Sequence, residues 1–122
     1  MNQMYEYASI KVVPSLLRGE CMNIGVLLYC QQASFLGART YINAERLRAL
    51  DSTVDIHDLD RALASWERSC EGAGPTADLS PGQRFRWLTA PSSTIVQPGP
   101  VHTGLTQDPG AELERLWRVL VR

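Results

Sequence analysis

Charged residues are absent from the 21-residue run 87–107, although Asp, Glu, Lys and Arg make up 20% of the chain. The run reads WLTAPSSTIVQPGPVHTGLTQ and is not simply hydrophobic, because it carries four threonines, two serines and three prolines. A segment that excludes charge and keeps hydroxyl groups is typical of one that packs against another surface. The core of the same chain, a protein partner and a ligand all remain open as that surface.

Long apolar runs and export signals are also missing. No stretch approaches the ~20 apolar residues that a membrane-spanning helix needs. The start MNQMYEYASIKVV has no charged region followed by an apolar one, as a signal peptide would have. We therefore expect a cytoplasmic protein with no membrane partner.

Cysteine is scarce, with three residues and no Cys-x-x-Cys motif. Cys21 and Cys30 belong to one extended run, which separates them by roughly 30 Å at the rise of a strand, so they cannot pair with each other there. Cys70 follows a predicted helix. This pattern indicates reduced, mainly structural thiols.

The residues of common metal and cofactor sites are lacking. The two histidines, His57 and His102, are not a spaced pair, and no cysteine lies near either, so we expect no metal site. Neither a P-loop nor a Gly-x-Gly-x-x-Gly turn occurs, so we expect no nucleotide cofactor. Ser92 or Ser93 with His102 would complete a hydrolase triad only on paper, because no nucleophile elbow supports it. No residue is predicted to be catalytic.

A basic excess is absent too. Lys and Arg number 12 against 13 Asp and Glu, which gives a net charge of −1. Nothing therefore attracts the whole protein to nucleic acid, and we do not expect a nucleic-acid partner. The length of 122 residues predicts one domain, 1–122, with a single core.

Strand patterns dominate the first part of the chain. Alternating residues predict a strand over 5–13, a nearly continuous apolar run predicts a strand over 21–30 that is covered on both sides, and a third strand is expected over 35–42. The short connections favour an antiparallel meander. Two further strands are predicted over 84–90 and 94–97.

Helices are predicted in three places. One or two turns are expected over 43–50, a longer helix runs from an N-cap at Asp55 to Cys70, and the last helix begins after Asp108. Residues 72–83 are rich in Gly and Pro and predict a surface loop. The fold class is α+β, with about five strands in an antiparallel or mixed sheet and the two main helices packed on one face.

The candidate binding residues lie in or beside the charge-free run. On the predicted strand over 84–90, Arg84 and Arg86 share one face, and they would line either a solvated surface, the rim of a protein interface or an anion site. His102 is interpreted either as a ligand contact or as a residue that fixes a loop. The complete predicted set is Arg84, Arg86, Ser92, Ser93, His102 and Thr103.

Two segments together resemble a known family. They are RGExxNIGVLL from Arg18 to Leu28, and RFRWLTAP from Arg84 to Pro91 continuing into VHTGLT from Val101 to Thr106. The chain resembles the small bacterial proteins grouped as the domain-of-unknown-function family three-zero-three-seven, over most of its length. The resemblance implies no catalytic residues. It implies a protein partner, since members are often encoded beside a kinase of the HipA type.

The leading hypothesis is a non-enzymatic cytoplasmic accessory protein that binds a partner, with a HipA-like kinase as the candidate and a toxin–antitoxin-like role. Self-association is left open. The alternative is a small enzyme or ligand-binding domain that acts on a phosphorylated or carboxylated molecule through Arg84, Arg86 and His102.

Overall fold

A computed structural model describes residues 1–92 and 94–122, and it confirms the α+β class and an antiparallel five-stranded sheet. The elements in chain order are β1 (Gln3–Val12), β2 (Met22–Cys30), β3 (Phe35–Thr40), α1 (Ala44–Leu50), α2 (Ile56–Cys70), a 3-10 turn (Gly74–Thr76), α3 (Pro81–Leu88), β4 (Val96–Pro98), β5 (His102–Thr106) and α4 (Pro109–Leu120).

β1 is the hub of the sheet. The strand order is β3-β2-β1-β4, and β5 also pairs with β1. β2 runs along one side of β1, while the other side is divided between β5, which lies opposite residues 3–7, and β4, which lies opposite residues 10–12. The predicted meander of the first three strands is confirmed, because each is antiparallel to the next.

A β-bulge in β2 changes which face its residues occupy. Ile10 lies opposite Gly25 and Lys11 opposite Asn23, so Ile24 is an extra residue without a partner in the ladder. Ile24 packs with Ile10 in the core beneath α2. Beyond the bulge, Val26 points to the other face, toward α4. β2 therefore supplies apolar side chains to both faces.

The two longer helices cover opposite faces of the sheet. α4 contributes Leu113, Leu116 and Trp117 to a core with Tyr5 and Val26. On the other face, α1 and α2 pack over the end of the sheet near Ile10, and α2 and α3 pack over its middle near Leu27. The expectation that both main helices pack on one face is not confirmed, because a strand that is apolar on both faces needs a layer on each.

The strand predicted over 84–90 is wrong, because these residues belong to α3 and the turn after it. Ser80 caps this helix: its Oγ accepts from the Gln83 N–H at 3.2 Å, and the Gln83 Oε1 accepts from the Ser80 N–H at 2.9 Å. Pro81 occupies the first turn. The predicted loop over 72–83 accordingly ends at Ser80 and contains the 3-10 turn.

β5 was not predicted as a strand. It is short and contains Gly104, so its alternation is weak in the sequence, and its pairing with β1 joins residues about a hundred positions apart. Within the described residues, no helix is long and apolar enough to cross a membrane.

Candidate functional site

Arg84 has a local structural role. Its Nε donates to the carbonyl oxygen of Thr76 at 3.3 Å, and its guanidinium fills the space beside Gly72, where an added Cβ would lie 2.4 Å from Nη2. Gly72 has a φ of +84°, which a side chain would strain. Arg84 therefore ties the end of α2 to α3.

Arg86 lies elsewhere, because residues two apart on a helix point in different directions. Its guanidinium forms two hydrogen bonds with the carboxylate of Glu6 on β1, at 2.7 and 2.9 Å. These bonds to Glu6 raise the pKa of Arg86 above its ordinary value, so the side chain stays charged. Arg86 remains largely exposed, which limits the pair to about 1 kcal/mol or less of stability.

The residues around this ion pair form an open patch on the α3 side of the sheet. Thr103 is the register partner of Glu6, and Leu105 is the register partner of Met4. Because alternate residues of a strand share a face, all four side chains lie on the side that α3 covers only in part. We call this patch the Trp87 surface, and it consists of Met4, Glu6, Arg86, Trp87, Thr103 and Leu105.

Three large apolar side chains on this surface are exposed. The exposed fractions are 61% for Met4, 64% for Leu105 and 51% for Trp87. A cleft of about 640 Å³ separates α3 from the sheet here. Its lining includes Glu6, Tyr29, Gln31, Arg86 and Trp87.

His102 lies on the opposite face. It is the register partner of Tyr7, its ring is exposed, and the two ring centroids are 5.3 Å apart. Since Thr103 faces the other way, these neighbouring residues of β5 cannot serve one site through their side chains.

The two predicted serines give little support for a site. The Oγ of Ser92 lies 2.9 Å from the Thr94 Oγ1, and the same oxygen accepts from the Thr94 N–H, so Ser92 shapes an exposed turn. Ser93 lies outside the described residues.

The predicted residues therefore divide into separate groups. Arg86 pairs with Glu6 and Thr103 lies opposite Glu6 in the sheet, whereas Arg84 donates to Thr76 and the His102 ring lies beside Tyr7. The side chains of Arg84, Arg86 and His102 do not converge on one anion-sized space.

Met4, Glu6 and Leu105 were not among the predicted site residues. The sequence does contain one signal for α3, the capping motif from Ser80 to Gln83. A helix that begins there would have indicated that Trp87 is an exposed helical residue and not a strand residue. The pairing that brings Leu105 to Met4 had no local signal.

A second polar cluster lies on the α4 face, beneath the side chain of Tyr5. The Tyr5 hydroxyl donates to the Glu112 carboxylate, which also accepts two hydrogen bonds from Arg115 at 2.7 Å each. Burial, reinforced by the Glu112 carboxylate, raises the pKa of Tyr5 to about 12. The Arg115 hydrogen bonds lower the pKa of Glu112. The cluster is internally satisfied and leaves no group directed at a ligand.

The thiols have distinct settings. Cys21 is exposed, whereas Cys30 and Cys70 are buried, and all three are unpaired. Burial raises the pKa of Cys70 to about 12, with a further contribution from the nearby carboxylates of Glu67 and Glu71. A thiol with such a pKa is a poor nucleophile and a poor metal ligand at neutral pH.

Comparison with known proteins identifies the family of the chain. No curated protein and no solved structure matches the chain. A family model described as "Protein of unknown function (DUF3037)" matches residues 7–121, which include β2, α3, β5 and α4. The chain therefore belongs to the DUF3037 family.

Proposed function

We propose that this protein is a non-enzymatic cytoplasmic accessory protein that binds a partner protein through the Trp87 surface. The observation that carries the proposal is the exposure of Met4, Trp87 and Leu105 around one ion pair. Exposed apolar side chains that form a patch with polar neighbours are characteristic of protein interaction sites.

The composition of the patch supports a protein partner. Aromatic residues, methionine and arginine are enriched in interfaces, and Trp87, Met4 and Arg86 represent all three kinds. Arg86 is already paired with Glu6, so a partner would bury a neutralised pair rather than an isolated charge. The cleft beside Trp87 gives an apolar anchor from the partner a place to enter.

The partner that the family resemblance implies is a kinase of the HipA type, and we propose it as the first candidate for testing. In this role the accessory protein contributes no catalytic residue and regulates the kinase by binding to it. The small-enzyme alternative depends on Arg84, Arg86 and His102 acting together, and their side chains lie apart.

The proposal is tested by capture from the native host followed by a binding measurement with the purified partner. Trp87→Ala should weaken binding by about 2 kcal/mol, or roughly thirtyfold in Kd, because truncating a central aromatic anchor costs that much. Met4→Ser and Leu105→Ser should each weaken binding by less. Calorimetry on the same preparations measures all three.

Val119→Ala is the matched control. Val119 is an exposed apolar residue on α4, at 68% exposure, and lies outside the Trp87 surface. It should bind the partner like the wild type. Unchanged affinity for Trp87→Ala, Met4→Ser and Leu105→Ser would place the binding surface elsewhere and overturn the assignment.

A further inference from the structure

The backbone of β5 presents free hydrogen-bonding groups at the edge of the sheet. The Val13 N–H donates to the Ile95 oxygen, and the Gly99 N–H donates to the Ser9 oxygen, both at 2.7 Å. The odd-numbered residues of β1 thus direct their backbone groups toward β4 and β5. Their register partners on β5 are His102, Gly104 and Thr106.

The intervening residues of β5, Thr103 and Leu105, must point the other way, since backbone direction alternates along a strand. Their N–H and C=O groups face away from β1. Within the described residues, no hydrogen bond uses these groups.

The two strands along this edge are protected unequally. β4 carries Pro98 opposite Ile10, a position where its nitrogen faces outward and has no hydrogen to donate. Strand edges are usually blocked by proline, charge, bulges or covering segments. β5 has none of the first three, because it contains no proline, no charged residue and no break in its register with β1.

The free groups of β5 are self-complementary. If two copies are related by a twofold axis through Gly104, Thr103 of one copy lies opposite Leu105 of the other. Both residues of each pair then exchange N–H···O=C bonds, so every outward group of Thr103 and Leu105 is used. We propose that β5 pairs antiparallel with β5 of a second copy of this chain and joins the two sheets into one.

The charge distribution of β5 is compatible with a second copy as the occupant. Like charges placed opposite each other destabilise a strand pair. The run 87–107 contains no charged residue, so the twofold pairing brings no like charges together at the junction. The Leu105 side chain, 64% exposed in one copy, would lie against Thr103 of the other on the same face. The pairing needs no partner protein, although Thr103 and Leu105 also belong to the Trp87 surface.

Cross-linking tests the register directly. In a Cys21→Ser background, which removes the exposed thiol, Thr103→Cys protein is mixed with Leu105→Cys protein. Directly opposed residues have Cα atoms about 5.5 Å apart, within disulfide range. Each variant alone places its thiols on diagonal positions, about 7–8 Å apart. A mixed disulfide dimer that forms faster than either self-dimer is expected, and equal rates in all three would overturn the register.

Edge-blocking variants test the association itself by sedimentation velocity across a wide concentration series. The wild type should become dimeric as concentration rises. Thr103→Pro, which removes an outward N–H, and Leu105→Lys, which adds a charge, should both stay monomeric. Circular dichroism verifies that both are folded.

Two controls make the result specific. Val119→Lys adds the same charge outside β5 and should dimerise normally. Trp87→Ala should also dimerise normally, which separates this inference from the proposed partner surface. A wild type that stays monomeric throughout, or edge variants that dimerise like the wild type, would overturn the proposal.

Discussion

The two faces of the sheet are finished differently at the start of β1. Tyr5 points toward α4 and is only 5% exposed, whereas its neighbour Met4 points the other way and is 61% exposed. Two of the three tryptophans follow the same division, with Trp117 of α4 at 7% and Trp87 of α3 at 51% exposure. α4 closes its face of this strand end, and α3 leaves the other open. At this strand end we therefore expect substitutions on the α4 face to lower stability and substitutions on the open face to change it little.

The sharpest way to break this contrast is Trp117→Ala. Trp117 packs in the α4 core, and the Arg39 guanidinium lies 4.1 Å from the centre of its ring. Replacement should cost ~3–5 kcal/mol in unfolding free energy, measured by urea denaturation, because it removes a large buried side chain. A loss under about 1 kcal/mol would mean that α4 does not depend on this anchor.

Gly104→Ala tests how closely β5 is fitted beneath Tyr5. An added Cβ would lie 2.5 Å from the Tyr5 hydroxyl and 2.6 Å from its Cζ, so the ring would have to move from Glu112. Overpacking of this kind costs ~1–3 kcal/mol. Thr103→Ala is the control on the opposite face and should change the unfolding free energy little. Equal stability of the two variants would contradict the close fit.

Glu112→Gln sharpens the comparison through pH. The folded pKa of Glu112 is lowered, so its contribution is present above the unfolded pKa of about 4.3 and is lost as pH falls through the folded value. Because Arg115 is largely exposed, we expect at most about 1 kcal/mol. The variant should be less stable than the wild type at pH 7, and its unfolding free energy should fall less steeply as the pH is lowered below about 4.3.

Tyr5→Phe removes the other partner of the Tyr5–Glu112 hydrogen bond. The pKa of Tyr5 is raised to about 12, so its contribution is present below the unfolded pKa of about 10 and is lost as pH rises toward the folded value. The unfolding free energy of this variant should fall less steeply than that of the wild type above about pH 10. Its fall in acid should stay close to that of the wild type. If the unfolding free energy of Glu112→Gln falls as steeply with acid as that of the wild type, the Glu112 carboxylate does not set the pH dependence.

Trp87→Ala is expected to have the smallest effect on stability. Exposed substitutions of this kind usually shift the unfolding free energy by less than ~0.5 kcal/mol. Urea denaturation beside Trp117→Ala compares the two faces with the same chemical change. A loss above about 2 kcal/mol would make Trp87 a core residue and remove the main support for the partner surface.

Strongly periodic segments were predictable from the sequence. The three strands of the meander, α2 with its Asp55 cap and α4 with its Asp108 cap were all expected. Their periodicity and capping residues are local, so a single segment carries enough information. The predicted strand over 94–97 also has a counterpart in β4, shifted slightly along the chain.

The remaining features depend on contacts or on competing local signals. RFRWL alternates like a strand, but the capping box at Ser80 and the burial of Phe85 and Leu88 one turn apart favour a helix. Of the predicted site residues that the structure describes, Arg86 and Thr103 both neighbour Glu6, which lies at the other end of the sequence. No local pattern in the sequence predicts that these residues come together.

The position of β1 at the hub has a consequence for synthesis on the ribosome. On one side β1 pairs with β2, which ends by residue 30. On its other side β1 pairs with β4 and β5, whose pairing positions lie at residues 96–106 and are synthesised much later. Non-local pairing of this kind forms late, and an unpaired strand in a partly folded chain is prone to aggregate. The nascent chain therefore carries its most vulnerable edge on β1 until β5 emerges, and slow translation between β3 and β5 should prolong that exposure.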